Sequence, residues 1–223
     1  MSAAIIESEA GPVEWRVSAA PVAYADAVRE MDERAAGIAA GTARECLWLL
    51  EHPPVITGGT SAHARDLLAP GDVPVVATGR GGQYTYHGPG QRVIYVMLDL
   101  NQRGRDVRQL VCGIERWISA ALAALGVTAS HSPLGTGLWV GVPGQERKIA
   151  AIGIRVRRWV SLHGAAVNVL TDLQAYDAIV PCGIRDRGVT RLADLVPGAS
   201  LAALDAALLS TAPGFLNSLS GNS

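Results

Sequence analysis

The sequence has little that would tie it to a membrane, an oxidising compartment or a nucleic acid. It contains no apolar run long enough to span a bilayer. Its opening, MSAAIIESEAGPVEWRV, has no basic region followed by an apolar core and does not read as a secretory signal. The three cysteines, Cys46, Cys112 and Cys182, are odd in number and scattered. They make no disulfide framework, and the absence of Cys-x-x-Cys removes the usual signs of zinc or dithiol redox chemistry. A formal net charge of −1 over 223 residues gives no electrostatic case for nucleic acid as the main partner. Neither nucleotide loop is present: there is no G-x-x-x-x-G-K-[ST] and no G-x-G-x-x-G. These absences predict a reduced, cytoplasmic protein with no metal.

What is there suits a sizeable core, since 49% of the residues are hydrophobic. Val13 to Val17 and Cys46 to Leu50 read as strands. Between them Tyr24, Val28, Met31, Ala35 and Ile38 recur at helical spacing, with Pro21 suited to the first turn and Gly41 past the end. HPPVITGG, from His52, reads as a loop by its prolines and glycines. Val73 to Ala77 and Arg92 to Leu98 read as strands. A long apolar face from Val107 to Leu125 predicts a second helix stopped by Gly126. Leu138 to Val140, Lys148 to Val156 and Val160 to Val169 follow as strands, the last two as a hairpin turned at Arg157 and Arg158. A helix from Leu201 closes the chain, and SLSGNS reads as frayed. The expectation is one α/β domain over residues 1–223, with a mixed sheet flanked by helices.

Three segments carry chemistry. RGGQYTYHGPGQ, Arg80 to Gln91, holds four glycines and a proline in twelve residues. Glycine lets the backbone approach a ligand closely, and Tyr84, Tyr86 and His87 add polar tips; a hairpin turn with exposed aromatics would read similarly. RKIAAIGIRVRRWVSLHGAAVNV, Arg147 to Val169, alternates along a strand. Ile152, Ile154 and Val156 face one way, and Ala151, Gly153 and Arg155 the other. The small face leaves room for an elongated ligand, or for tight packing on a helix. In IVPCGIRDRGVT, Cys182 sits between Pro181 and Gly183, where a turn can aim its thiol into a cleft. Cys46 and Cys112 lie in apolar sequence and are expected to be buried. A nucleophilic thiol needs a nearby base or cation. His87, His163 and Lys148 are all candidates.

Together, HPPVITGG, RGGQYTYHGPGQ, GLWVG, RKIAAIGIRVRRWVSLHGAAVNV and IVPCGI resemble, in order and over most of the chain, the octanoyl-[acyl carrier protein]–protein octanoyltransferases of lipoate biosynthesis. The resemblance implies the biotin/lipoate protein ligase catalytic-domain fold. It implies that Cys182 is the nucleophile and Lys148 its partner. It implies that substrate is held by Arg80, Gly81, Gly82, Gln83, Tyr84, Thr85, Tyr86 and His87, by Ala151, Ile152 and Gly153, and by Gly164, Ala165 and Ala166. No cofactor is implied. The donor would be octanoyl-acyl carrier protein. The acceptors would be lipoyl domains of 2-oxoacid dehydrogenase complexes and the glycine cleavage H protein. Arg103, Arg105, Arg108, Arg155, Arg157 and Arg158 are candidate docking residues for an acidic carrier protein. The rivals are an ATP-dependent lipoate or biotin ligase, an octanoyl amidotransferase between lipoyl proteins, and a binding module that is never acylated.

Overall fold

In the computed structural model, which describes residues 2–133, 135–180 and 188–219, a seven-stranded sheet forms the centre of the molecule. Its strands are β1 (Ser2–Ile6), β2 (Val13–Val17), β3 (Cys46–Leu50), β7 (Gln91–Met97), β8 (Gly137–Val140), β9 (Arg147–Arg157) and β10 (Val160–Asn168). The spatial order is β1-β2-β3-β7-β10-β9-β8. All neighbours are antiparallel except β2 and β3, which run parallel. Helix α1 (Tyr24–Ala39) makes that parallel connection, as a crossover must. The middle strands β3, β7 and β10 are buried along their whole length, so none of them shows a solvent-facing polar alternation.

Each face of the sheet has its own helical layer. Helices α2 (Val107–Ala124) and α3 (Leu201–Ser218) cover one face with Leu110, Ile114, Trp117, Leu204, Leu208 and Phe215. Trp117 and Phe215 stack with centroids 4.7 Å apart. On the other face α1 packs Ala27, Met31 and Ile38 against Trp48, Tyr95 and Leu162. Asp106 caps α2, accepting from the N–H groups of Arg108 and Gln109, and Ser200 caps α3.

A second, three-stranded sheet lies beside the first, in the order β5 (Val75–Ala77), β4 (Val55–Gly58), β6 (Tyr84–His87). The expected loop at HPPVITGG is therefore half strand. Its β-branched Ile56 and Thr57 pair with both neighbours, and Val55 with β6. The β9–β10 turn falls at Arg158 and Trp159, one position beyond the expected one. Both have positive φ, 51° and 63°, as a type I′ hairpin turn requires. Pro21 lies outside α1, whose N-cap is Ala23. Arg103 is not a docking residue: its side chain is buried, pairs with Glu45, and donates from Nη1 to the Leu216 carbonyl at 3.2 Å. Cys46 is buried, its thiol pushed up to about 12 by burial first and by Glu14 second. Cys112 is exposed, because it stands off the stripe of α2 that carries Leu110, Ile114 and Trp117.

Candidate active site

The site follows from the register of three strands. Tyr95 of β7, Gly164 of β10 and Gly153 of β9 stand in one cross-strand row. Val93, Ala166, Ala151 and Gly137 stand in the next. The small residues of β9 and β10 leave a shallow channel in the sheet surface. Arg80, Gly82, Gln83, Thr85 and His87 roof it and turn the channel into a slot. The roof sits close because Gly153 has no side chain: a Cβ there would lie 2.9 Å from the Gly81 carbonyl oxygen. The Gly81 N–H donates to the Ile154 carbonyl at 3.0 Å and pins roof to floor. Ile152 and Ala165 also border the slot, but they belong to the core under α2 and α3.

Arg80 shapes the roof from within. Its buried guanidinium donates from Nη2 to the Thr57 carbonyl at 2.7 Å, the Thr57 hydroxyl at 2.8 Å and the Gln83 carbonyl at 3.0 Å. Nη1 reaches the Gly81 carbonyl at 3.0 Å. Tyr86 packs with Ile56, Tyr176 and Ile179 outside the slot, and Tyr84 lies against Gly58.

The far end of the slot is closed by Tyr24 of α1 and by His163. His163 has φ 61°, which breaks the alternation of β10. Its ring lies edge-on to Tyr95, and its N–H donates to the Met31 sulfur at 3.0 Å. His52 and His87 complete a group of buried imidazoles around Tyr95. His87 is held down to about 3, by burial first and by His52 next, and His163 to about 4, by burial and then Arg80. Burial also lowers His52. All three are neutral at physiological pH, so the slot is uncharged on the histidine side.

That neutrality predicts acid sensitivity. The unfolded chain takes up protons near pH ~6.5, and the folded chain resists them until about 4 at His163 and about 3 at His87. Stability is therefore complete above pH ~6.5 and declines as pH falls from there toward the folded values. Urea midpoints measured from pH 7 to pH 4 are expected to drop steeply, and His87→Gln to flatten the drop. A midpoint indifferent to pH in that window would contradict the burial of neutral imidazoles.

The other end of the slot belongs to Lys148. Its side chain is only 5% exposed, although a lysine opening a strand ordinarily reaches solvent. Lys148 shares a small cavity with Thr85 and Ala151, two residues that also line the slot. Its Nζ lies 5.1 Å from the centroid of the Trp139 ring. Gly137, at φ 121°, makes way for its stem: a Cβ there would sit 2.8 Å from Lys148 Cε and 2.3 Å from the Ala150 carbonyl oxygen. Glu115 of α2 fixes that glycine by accepting its N–H at 2.9 Å. Lys148 also borders an open groove of about 620 Å³ with Gly81, Gly82 and Gly153. The backbone of Lys148 bonds to Gly188 and Thr190, which follow the PCG segment in the chain. Cys182 itself lies outside the described residues.

The arrangement brings together Lys148, the glycine-rich roof and the small residues of β9 and β10. Both ring nitrogens of His87 are engaged, by Gln91 and Thr57, and His163 is at the far end. Sequence reasoning missed Tyr24, Glu115, Trp139 and Tyr95. Glu115 carried a signal, as a lone acid amid the apolar face of α2; Tyr24 and Tyr95 read as ordinary core residues. Chemically, a slot lined largely by small and neutral side chains, with the Arg80 charge spent on the roof's own carbonyls and a buried amine at one end, has the shape and polarity for a straight apolar chain.

The family model for the lipoyl protein ligase A/B catalytic domain matches residues 23–212. An octanoyltransferase of Paramagnetospirillum magneticum is 55% identical over 203 residues, 91% of this chain and 96% of that protein. An octanoyltransferase of Caulobacter vibrioides is 55% identical over 204 residues, 90% of each chain. Among solved structures, a bipartite lipoate protein ligase from Thermoplasma acidophilum superposes with a TM-score of 0.69 at 18% identity, covering 90% of this chain and 82% of that one. A lipoate-protein ligase A bound with ATP gives 0.65, also at 18% identity, over 90% of this chain and 85% of that one. These two show the shared fold.

Proposed function

The chain belongs to the octanoyltransferases of the lipoyl protein ligase A/B catalytic-domain family, and from that premise we propose that residues 1–223 form one catalytic domain that moves an octanoyl group from acyl carrier protein to a lipoyl-domain lysine through an acyl-cysteine at Cys182. The observation that carries this reading is Lys148, buried where the apolar slot ends and tied through its backbone to residues 188 and 190.

In the first half-reaction the Cys182 thiolate adds to the thioester carbon, and the C–S bond to the phosphopantetheine arm breaks. The departing thiolate takes a proton from the Lys148 ammonium. In the second, the acceptor lysine amine attacks the acyl-cysteine and loses a proton to neutral Lys148, and the Cys182 thiolate leaves. Proton and charge balance over the cycle. Thioester-to-amide transfer is downhill and needs no ATP, which separates this reading from a ligase of the same fold. Lipoyl domains of 2-oxoacid dehydrogenase complexes and the glycine cleavage H protein are the proposed acceptors. The octanoyl chain lies in the slot. Burying it at ~25 cal/mol per Å2 of apolar surface gives orientation worth several kcal/mol.

Mixing the protein with octanoyl-acyl carrier protein and an apo lipoyl domain, without ATP, is expected to add one octanoyl group to the domain. A strict need for ATP and free octanoate would overturn the reading in favour of a ligase. Gly137→Ala tests the lysine cradle. Its Cβ would meet the Ala150 carbonyl at 2.3 Å and the Lys148 stem at 2.8 Å, on a backbone at φ 121° that side chains rarely adopt. Transfer is expected to fall by roughly 10–100-fold, the loss that an ångström of misplacement brings. Wild-type rates in a folded Gly137→Ala variant would show that the cradle does not set the position of Lys148.

A further inference from the structure

Thr85 stands where the slot meets the lysine cavity. Among the described residues, Thr85 and Ala151 alone line both the slot and the cavity of Lys148. Thr85 is 6% exposed, and its hydroxyl is buried without a hydrogen-bond partner among the described residues. Its neighbours spend their polar groups on one another. Across the strand pair, the Thr57 hydroxyl accepts from Arg80 and meets His87. Gln91 is occupied by His87, the Tyr86 carbonyl, Asn168 and Tyr176. A buried hydroxyl left out of such a network costs stability in the resting protein. Groups of that kind call for an explanation, and a catalytic role is one.

We infer that the Thr85 hydroxyl is an oxyanion donor of this site. The inference rests on the acyl-transfer reading and gives one of its reactive contacts. With the acyl tail in the slot and the reacting carbon beside Lys148, the carbonyl oxygen lies at the junction that Thr85 borders. A threonine hydroxyl rotates freely enough to aim its proton at that oxygen. When the cysteine sulfur adds to the thioester carbon, the carbonyl π pair moves onto oxygen. The Thr85 O–H donates to the resulting oxyanion without giving up its proton. When the tetrahedral carbon collapses, the pair returns to the C=O bond and the thiolate of the carrier arm departs. Thr85 serves the second half-reaction identically, as the amine replaces the cysteine sulfur. Such a donor is aimed at charge that develops in the transition state, so it acts on the rate rather than on binding.

The test is Thr85→Val, which keeps the shape and removes the hydroxyl, beside Thr85→Ser, which keeps the hydroxyl. Acylation by octanoyl-acyl carrier protein is followed by intact mass in single turnovers, and thermal midpoints are read on the same samples. Thr85→Val is expected to slow acylation by about 10²–10³-fold with an unchanged half-saturating donor concentration. It is also expected to raise the midpoint by a few degrees, since an unpaired buried hydroxyl has gone. Thr85→Ser is expected to recover most of the rate. A Thr85→Val variant that acylates at the parent rate overturns the assignment, and so does one whose midpoint falls, because the hydroxyl then has a structural partner. If the parent itself is not acylated, the acyl-transfer reading fails first. The midpoint still decides whether the Thr85 hydroxyl is a stored cost.

Discussion

Replacing Lys148 with methionine is expected to slow octanoyl transfer by about 10²–10⁴-fold near neutral pH, the contribution of a positioned acid–base group. Methionine keeps the unbranched apolar stem and ends about where Lys148 Cε lies, so most of the buried volume around Trp139 and Gly137 stays filled. The thermal midpoint should change little. Lys148→Arg separates two roles. A guanidinium keeps the positive charge that stabilises a thiolate, but it does not deprotonate. If Lys148 works as a base on the acceptor amine, the arginine variant forms acyl-enzyme and stalls before transfer. If it works only by charge, arginine supports both halves to the same degree. Equal activity of the parent and the methionine variant would remove Lys148 from the chemistry.

Arg80→Met is expected to damage the fold and the site together. Four hydrogen bonds from its guanidinium hold Thr57, Gln83 and Gly81 in place, and three of these end on backbone carbonyls. Methionine leaves those carbonyls buried without this donor. At roughly 1–3 kcal/mol for each buried polar group left unsatisfied, the loss is expected to be about 3–5 kcal/mol, a large share of the stability of an ordinary domain. The roof would then no longer sit on Gly153, and transfer should fall with it. Urea unfolding and single-turnover acylation on one preparation test both effects. A variant of wild-type stability would show that the roof is held by its backbone contacts alone.

Much of this architecture could be read from residue pattern, because helices α1 and α2 repeat their apolar residues at helical spacing and strands β3, β7, β9 and β10 each carry a run or alternation of apolar residues. The small face of β9, Ala151 and Gly153, was visible as alternation and does floor the slot. The parts that pattern missed depend on tertiary contact. Strand β1 lies at the sheet edge and has one partner, and β4 and β6 of the second sheet are four-residue strands amid turn formers, whereas β5 falls within the expected strand Val73 to Ala77. Lys148 looked like an ordinary strand-end lysine, since its burial comes from residues of several separate elements, Trp139 of β8, Thr85 of β6 and Asn168 of β10 among them. Arg103 looked like a surface arginine and is a core ion-pair partner of Glu45, 58 positions away. The far end of the slot rests on His163 at positive φ, a conformation no residue pattern announces. The choice of Lys148 over the two histidines came from family resemblance, and the commitments of the His87 ring support it.

The measurement that bears most directly on the acyl-cysteine is the intact mass of the protein after mixing with octanoyl-acyl carrier protein alone, without ATP or acceptor. The expected result is a gain of one octanoyl group that hydroxylamine removes, that Cys182→Ser abolishes, and that an apo lipoyl domain discharges onto itself. A protein that transfers octanoyl to the lipoyl domain while never gaining that mass, or that gains it equally in Cys182→Ser, would contradict the acyl-cysteine mechanism.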